Sequence, residues 1–290
     1  MKPVILVDAS CDMPLEFIEK NHIPHLGLIC HIDDKEYEDD FGKTFTYDEF
    51  YGELRKGKMP TTSQINSFRF EEKFREYAKQ GIPVIYLAMS SALSGTYNSA
   101  VMARETILGE YKDADITVID TKGSSIGEGL LVYYAYDMLN KGYSKDSIIT
   151  WVKENMLKMN YWFAVSDLDH LKRGGRISSS AAVVGSILNI NPILCISSDG
   201  SLAQVTNIRG RRKAIKYLTD KFKAEVTEPQ NTIVAISHGD CIEEAEYLKN
   251  IMEEEFHVKK VIVNKLGLIM GSHCGQGMLS LCFLGNENRK

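Results

Sequence analysis

Pro83-Val-Ile-Tyr-Leu-Ala-Met-Ser-Ser-Ala-Leu-Ser-Gly-Thr-Tyr-Asn98 reads as one folding unit: an apolar β run, a Ser/Gly turn and the opening of a helix. Outward from it, the same order recurs along the chain. Short β-type runs bounded by turn residues predict strands over Pro3–Val7, Leu26–Ile32, Pro83–Met89, Ile116–Ile119, Tyr161–Val165, Ile193–Ile196, Leu202–Asn207, Thr232–Ile236, Lys260–Val263 and Leu279–Leu284. Helical patterns fit Phe68–Gln80, Ser94–Leu108, Ser125–Lys141, Lys145–Lys158, Ser179–Asn189, Arg211–Phe222 and Ile242–Phe256. Thr46-Tyr-Asp-Glu49 is a capping box opening a further helix that ends near Gly57. Ser67 is placed to cap Phe68–Gln80, with Gly81 in the position after its last turn. Strands alternating with helices predict an α/β protein with mostly parallel strands. Ser198-Asp-Gly200 between two apolar runs is a hairpin signal, so the second half is expected to hold a mixed sheet. The expected division is an N-terminal α/β domain, 1–160, with a mostly parallel sheet and a C-terminal α/β domain, 161–290, with a mixed one.

Size and composition agree with such a chain. At roughly 150 residues per domain, 290 residues suffice for two domains or one large one. Hydrophobic residues make up 44% and charged residues 25%, ordinary globular usage that argues against a disordered or fibrous chain. The 34 basic and 39 acidic residues leave a net charge of −5, which gives no support to phosphate-driven nucleic-acid binding. Apolar runs such as Val4 to Val7 fall far short of the ~20 residues a membrane span needs. The first residues lack the apolar core and cleavage site of a signal peptide, so a cytoplasmic protein is expected. Cys11, Cys30, Cys195, Cys241, Cys274 and Cys282 are scattered without a CxxC pair, the pattern of reduced thiols rather than of a disulfide framework or a zinc site.

Ligands of open α/β sheets gather beyond the carboxyl ends of the strands. There the chain places Asp8, Ser10 and Asp12; Ser90, Ser91 and Ser94; Asp120, Thr121, Ser124 and Ser125; and Ser237 with His238. A Pro60-Thr-Thr-Ser-Gln64 loop and a Gly271-Ser-His-Cys-Gly275 loop add hydroxyls and a histidine. Many hydroxyl donors with few acids suit an anion or polar headgroup better than general acid–base chemistry, which needs titrating groups set close together. Ser94, at the start of a helix, could join backbone N–H groups in an anion site or serve as a plain N-cap. Lys172-Arg-Gly-Gly-Arg176 could fold an arginine back onto an oxyanion, or be a solvated basic turn. Arg209, Arg211, Arg212 and Lys213 at a helix start oppose the helix dipole, a placement that fits an anionic partner as readily as a solvated face. His273 alone decides nothing. P-loop, GxGxxG, HExxH, GxSxG and paired-carboxylate patterns are absent, and Gly123-Ser-Ser-Ile-Gly-Glu-Gly129 does not follow the dinucleotide pattern.

In order along the chain, Val7-Asp-Ala-Ser-Cys-Asp12, Pro60-Thr-Thr-Ser-Gln64, Ser91-Ala-Leu-Ser-Gly-Thr-Tyr-Asn-Ser-Ala100, Asp120-Thr with Ser125 and Gly127, Leu171-Lys-Arg-Gly-Gly-Arg-Ile177, Asn191-Pro-Ile-Leu194 with Asp199-Gly200, and Gly271-Ser-His-Cys-Gly-Gln-Gly277 resemble the DegV family of bacterial fatty-acid-binding proteins. The resemblance spans essentially the whole chain. It departs at Cys274 and Gln276, where the family usually has Thr and Pro. It implies a two-domain α/β carrier, without turnover of its own, that holds one long-chain fatty acid between and within its domains. Such a carrier presents the carboxylate to a separate fatty acid kinase, which makes the acyl phosphate used in phospholipid synthesis. By motif, Thr62 and Ser94 would bond the carboxylate, His273 would lie beside it, and Arg173, preferred to Arg176, would complete the network. Ser63, Gln64 and Gly95 would support the site, and Arg209, Arg211 and Arg212 would meet the kinase. The resemblance implies no metal, no cofactor beyond the bound acid and no nucleic-acid partner; it allows transient contact with a membrane surface.

The energetics fit this implication. About 14 buried methylenes at ~0.8 kcal/mol each bring at most roughly 11 kcal/mol, enough for tight binding after association costs. Segments Ala181–Leu188, Leu266–Met270 and Leu279–Phe283 are apolar enough to line a tunnel, and equally to be core. Two other readings stand beside it. One is a small-carbonyl substrate-binding subunit of a dihydroxyacetone-kinase-like phosphotransfer system, using His273 or His238. The other is a serine hydrolase using Ser94 and His273, which lacks an orienting acid in a nucleophile motif.

Overall fold

The computed structural model describes residues 1–177 and 189–290. The helix expected over Ser179–Asn189 and the apolar run Ala181–Leu188 fall outside the described residues, except for Asn189. The N-terminal part is built on a four-stranded parallel sheet of β1 (Val4–Asp8), β2 (His25–Leu26), β6 (Val84–Ala88) and β7 (Ile116–Asp120), in the order β2-β1-β6-β7. Between them the chain folds α1 (Leu15–Lys20), the meander β3 (Ile29–Ile32) and β4 (Lys35–Glu38), α2 (Tyr47–Arg55), β5 (Thr61–Ser63), α3 (Ser67–Gln80) and α4 (Thr96–Glu110). Strand β6 is buried at every position, as its uninterrupted apolar run requires of a central parallel strand.

Helix α5 (Ser125–Asn140) decides how the two halves meet. It touches β1 on one side and strands of the C-terminal sheet on the other. A helix so placed must be apolar almost all round, and Ile126, Leu130, Leu131, Val132 and Ala135 are all buried. Its glycines set the spacing. A Cβ on Gly127 would lie 2.3 Å from the Tyr161 ring, and one on Gly129 would lie 2.4 Å from the Cys11 carbonyl on the opposite side. The glycine pattern of residues 123–129 therefore serves close packing.

After α6 (Lys145–Asn155) come β8 (Met159–Ala164), α7 (Asp169–Arg173), the hairpin β9 (Ile190–Ile196) and β10 (Leu202–Arg209), α8 (Arg211–Glu225), β11 (Ile233–His238), α9 (Ile242–Glu254), β12 (Lys260–Lys265), α10 (Leu268–Cys274) and β13 (Leu279–Leu284). The six-stranded order is β10-β9-β8-β13-β11-β12, with β11 and β12 parallel and the other pairs antiparallel. The hairpin signal at Ser198–Gly200 thus becomes the β9–β10 turn, with Gly200 at φ +90°. Helices α8 and α9 pack a second core of Leu218, Phe222, Leu248, Met252 and Phe283 against this sheet.

Several local expectations are corrected. Asn66, not Ser67, caps α3 by accepting the Arg69 N–H at 3.1 Å. The Thr46 capping box forms as expected. Residues 61–63, read as loop, add a strand to β3, and Gly271–Cys274, also read as loop, is helical. Gly271 marks a close approach rather than a turn: a Cβ there would meet the Phe50 ring at 2.5 Å.

Candidate functional site

Four segments far apart in sequence converge beyond the carboxyl end of β6. Thr62 of β5 pairs with Cys30 of β3, and Thr61 and Ser63 face the opposite way by the two-residue strand period. Thr62 turns inward and Ser63 outward, where the Ser63 hydroxyl and His31 Nε2 lie 2.7 Å apart. The support expected of Ser63 is therefore not a contact with the site, because the segment is a strand. Gln64 crosses over Gly95, whose Cβ would fall 2.1 Å from Gln64 Oε1, and donates to Ser99 Oγ at 3.0 Å.

Ser94 ends the turn before α4. Its Oγ accepts the Thr96 N–H at 3.2 Å and lies 2.9 Å from Thr96 Oγ1. Gly95 holds the formal cap position and supplies no side-chain cap. The Ser94 hydroxyl thus sits beside the positive end of a 15-residue helix.

His273 comes from the last turn of α10, whose start is clamped by two buried carboxylates of the N-terminal part. Asp12 Oδ1 accepts the Gly267 N–H at 2.9 Å and Asp39 Oδ2 the Ile269 N–H at 3.4 Å. Only a glycine fits at 267, since a Cβ would stand 2.8 Å from both carboxylates. Burial raises both acids, Asp39 to about 7. Asp8 and Asp12, which sequence placed among the strand-end donors, are scaffold: Asp8 accepts from the Tyr86 hydroxyl at 2.7 Å, and Asp12 from the Ser125 hydroxyl at 2.5 Å.

His273 Nε2 stands 2.8 Å from Thr62 Oγ1. Burial, the Arg176 charge and His170 depress the imidazole to about 4, so it is neutral near pH 7. The Gly-Gly turn is what brings the arginine there. A Cβ on Gly174 would collide with His273 Nδ1 at 2.3 Å, and Gly175 is left-handed at φ +68°. Arg176 then turns in, donating from Nε to the Leu93 carbonyl at 3.0 Å. Arg173 ends α7 on its exposed side and donates back to the Asp169 carbonyl at 3.3 Å. Helix phase thus leaves Arg173, the arginine preferred from the resemblance, at the outer mouth, and Arg176 is the one of the two that also lines the inner cavity.

Three cavities lie in line. A vestibule of about 240 Å³ is lined by His170, Arg173, Arg176, Thr62 and His273. The last three also line an inner cavity of about 50 Å³ with Ser94, Leu93 and Met270. Ser124, Met270 and Cys274 are shared with a third cavity of about 40 Å³ walled by Phe163, Leu266 and Tyr161. The path runs from polar to apolar. No carboxylate of the described residues lines any of the three. The set can neutralise one anionic head with a guanidinium, two hydroxyls and a neutral imidazole, and receive an apolar tail behind it. Met270 and Leu93 bring the adaptability that widening such narrow cavities to a ligand-sized ~300 Å³ would require. Sequence reasoning missed the lining by Leu28, Leu93, Leu171 and His170, for which the chain carries no local signal; Ile269, Met270 and Leu266 fall within a segment it named.

Other sequence candidates sit elsewhere. His238 is buried at the end of β11, accepts the Cys241 N–H at 3.2 Å and lines none of these cavities. Arg209 and Arg212 are exposed, and the Arg212 guanidinium lies 5.6 Å from the Tyr247 ring centre. Arg211 is not free for a partner: it binds Glu244 at 3.1 Å and the Gly277 carbonyl at 2.7 Å. Among the described residues no group of three His, Cys, Asp or Glu could hold a metal, and no helix is long and apolar enough to cross a membrane.

Comparison with known proteins gives concordant matches. The family model described as "Uncharacterised protein, DegV family" matches residues 2–286. A DegV domain-containing protein of Clostridium perfringens is 47% identical over 285 residues, covering 98% of each chain. A DegV lipid-binding protein of Thermotoga maritima superposes with a TM-score of 0.87 at 29% identity, covering 100% of both chains. A stearic-acid-binding protein of Eubacterium ventriosum superposes with a TM-score of 0.85 at 28% identity, covering 98% of each.

Proposed function

The chain belongs to the DegV family, and from that premise we propose that it binds one long-chain fatty acid, carboxylate at Thr62, Ser94 and Arg176 and tail in the cavities behind. The observation that carries this reading is a half-buried cation, Arg176, opening onto an apolar path that no acid among the described residues lines. A buried carboxylate left unpaired is costly, and Arg176, already partly desolvated, loses little by accepting one. Relatives of similar fold that bind lipid or stearic acid support it. Thr62 and Ser94 precede residue 160 and Arg176 and His273 follow it, so the acid would be held between the two halves expected from sequence.

In this reading the protein is a cytoplasmic carrier, not an enzyme. His273 is bonded to Thr62 rather than Ser94, which leaves Ser94 without the base a hydrolase needs. The vestibule exposes the head, and the bound carboxylate would be presented there to a fatty acid kinase docking through Arg209 and Arg212. Arg209→Glu is expected to leave palmitate binding intact and to slow kinase-dependent acyl-phosphate formation; equal loss of both would reject the docking role. For the headgroup site itself, Thr62→Ala with Ser94→Ala should weaken palmitate binding by about tenfold or more, the lower bound for losing even one hydrogen bond to a charged group. Calorimetric titration of the double variant checks it, and unchanged affinity would remove both hydroxyls from the site.

A further inference from the structure

The innermost cavity ends at Tyr161 and Ile196, and the same two residues form part of the wall of the largest described cavity, about 500 Å³, on the far side. They are one step beyond the Trp162–Cys195 pair of the antiparallel strands β8 and β9, so their side chains share a face of the sheet. We propose that Tyr161 and Ile196 are the end wall of the acyl path and set the longest chain the protein accepts. The proposal rests on the fatty-acid reading of the site.

The wall is built as a fixed stop. On one side the Tyr161 ring sits against Gly123 and Gly127, where added Cβ atoms would lie 2.5 Å and 2.3 Å from ring carbons. On the other, the Arg289 guanidinium lies 5.0 Å from the ring centre. Arg289 is itself held by the carbonyls of Met156, Met159 and Lys122. The Tyr161 hydroxyl is buried and finds no hydrogen-bond partner among the described residues. Packing alone would be served by phenylalanine, so the ring and not the hydroxyl forms the barrier. Beyond it, Lys221, Glu225, Asn286 and Arg289 set charged and polar groups in the wall of the large cavity, where a methyl terminus gains less from apolar burial. A chain that reaches Tyr161 meets a solid ring with a charged compartment behind it.

The test is a competition among saturated acids of fourteen to twenty-two carbons, read by native mass spectrometry, with thermal melts confirming the fold. Tyr161→Ala should raise the ratio of twenty-carbon to sixteen-carbon acid bound by about tenfold, the worth of two further buried methylenes. Ile196→Ala should shift it in the same direction, and decides the matter if Tyr161→Ala does not fold. Tyr161→Phe should keep the wild-type profile. An unchanged profile in the folded alanine variants, or a shift in Tyr161→Phe as large as in Tyr161→Ala, would overturn the end wall. Failure of the wild type to take up any of these acids would instead overturn the fatty-acid reading beneath it.

Discussion

Arg176→Ala is expected to lower affinity for palmitate by at least about thirtyfold, whereas Arg173→Ala should change it by less than about fivefold. The first figure reflects a carboxylate left without its half-buried cationic partner, a loss of ~2 kcal/mol or more. The second reflects an exposed charge, worth ~1 kcal/mol at most. The asymmetry follows from the turn. Gly174 packs against His273 and Gly175 takes a left-handed conformation, so the chain reverses after Arg173 and sends the next arginine inward. Arg176→Lys should recover only part of the loss, because a point charge cannot donate to the Leu93 carbonyl and a carboxylate in one plane. Equal effects of the two alanine variants would show that the head lies in the vestibule instead.

Glu128→Gln should remove a pH dependence of folding stability. Glu128 lies on α5 between the two sheets, is fully buried, and finds no hydrogen-bond partner for either carboxylate oxygen among the described residues. Burial, reinforced by the charges of Asp8 and Asp12, raises its pKa well above the usual value. The sign follows from proton uptake. Below the pKa of the unfolded chain both states are protonated and the group adds no slope. Above it the unfolded glutamate ionises while the folded one keeps its proton, so stability falls as pH rises, with a slope approaching ~1.4 kcal/mol per pH unit. Asp8, Asp12 and Asp39 are also raised and contribute the same sign. The difference in slope between wild type and Glu128→Gln isolates Glu128. Urea unfolding at several pH values from 5 to 8 measures it, and parallel slopes would contradict a protonated Glu128.

How much of this was legible in the chain depends on the range of the forces involved. The β6-turn-α4 unit, the capping box at Thr46 and the hairpin at Ser198–Gly200 are written locally, in apolar runs, caps and turn glycines, and they form where expected. Helices α7 and α10 have five and seven residues, too few to show a helical period. Helix α10 exists because Asp12 and Asp39, more than 200 residues away, cap its start. Its glycine-rich sequence says loop, while tertiary packing against Phe50 says helix. Thr62, Ser94 and His273 could be listed from motif, but their convergence, and the choice between two arginines three residues apart, depend on where α7 ends. The buried acids were equally hidden: Asp8 and Glu128 look like any strand-end or first-turn acid until their neighbours are known.

The central claim is that the apolar path behind Arg176 holds one acyl chain. Native mass spectrometry of the purified protein, followed by organic extraction and fatty-acid analysis, tests it most directly. One equivalent of long-chain fatty acid is expected, either already bound or taken up from added palmitate or oleate, and lost in Arg176→Ala. A protein that neither carries nor takes up such an acid, yet binds a small carbonyl compound at His273, would contradict it.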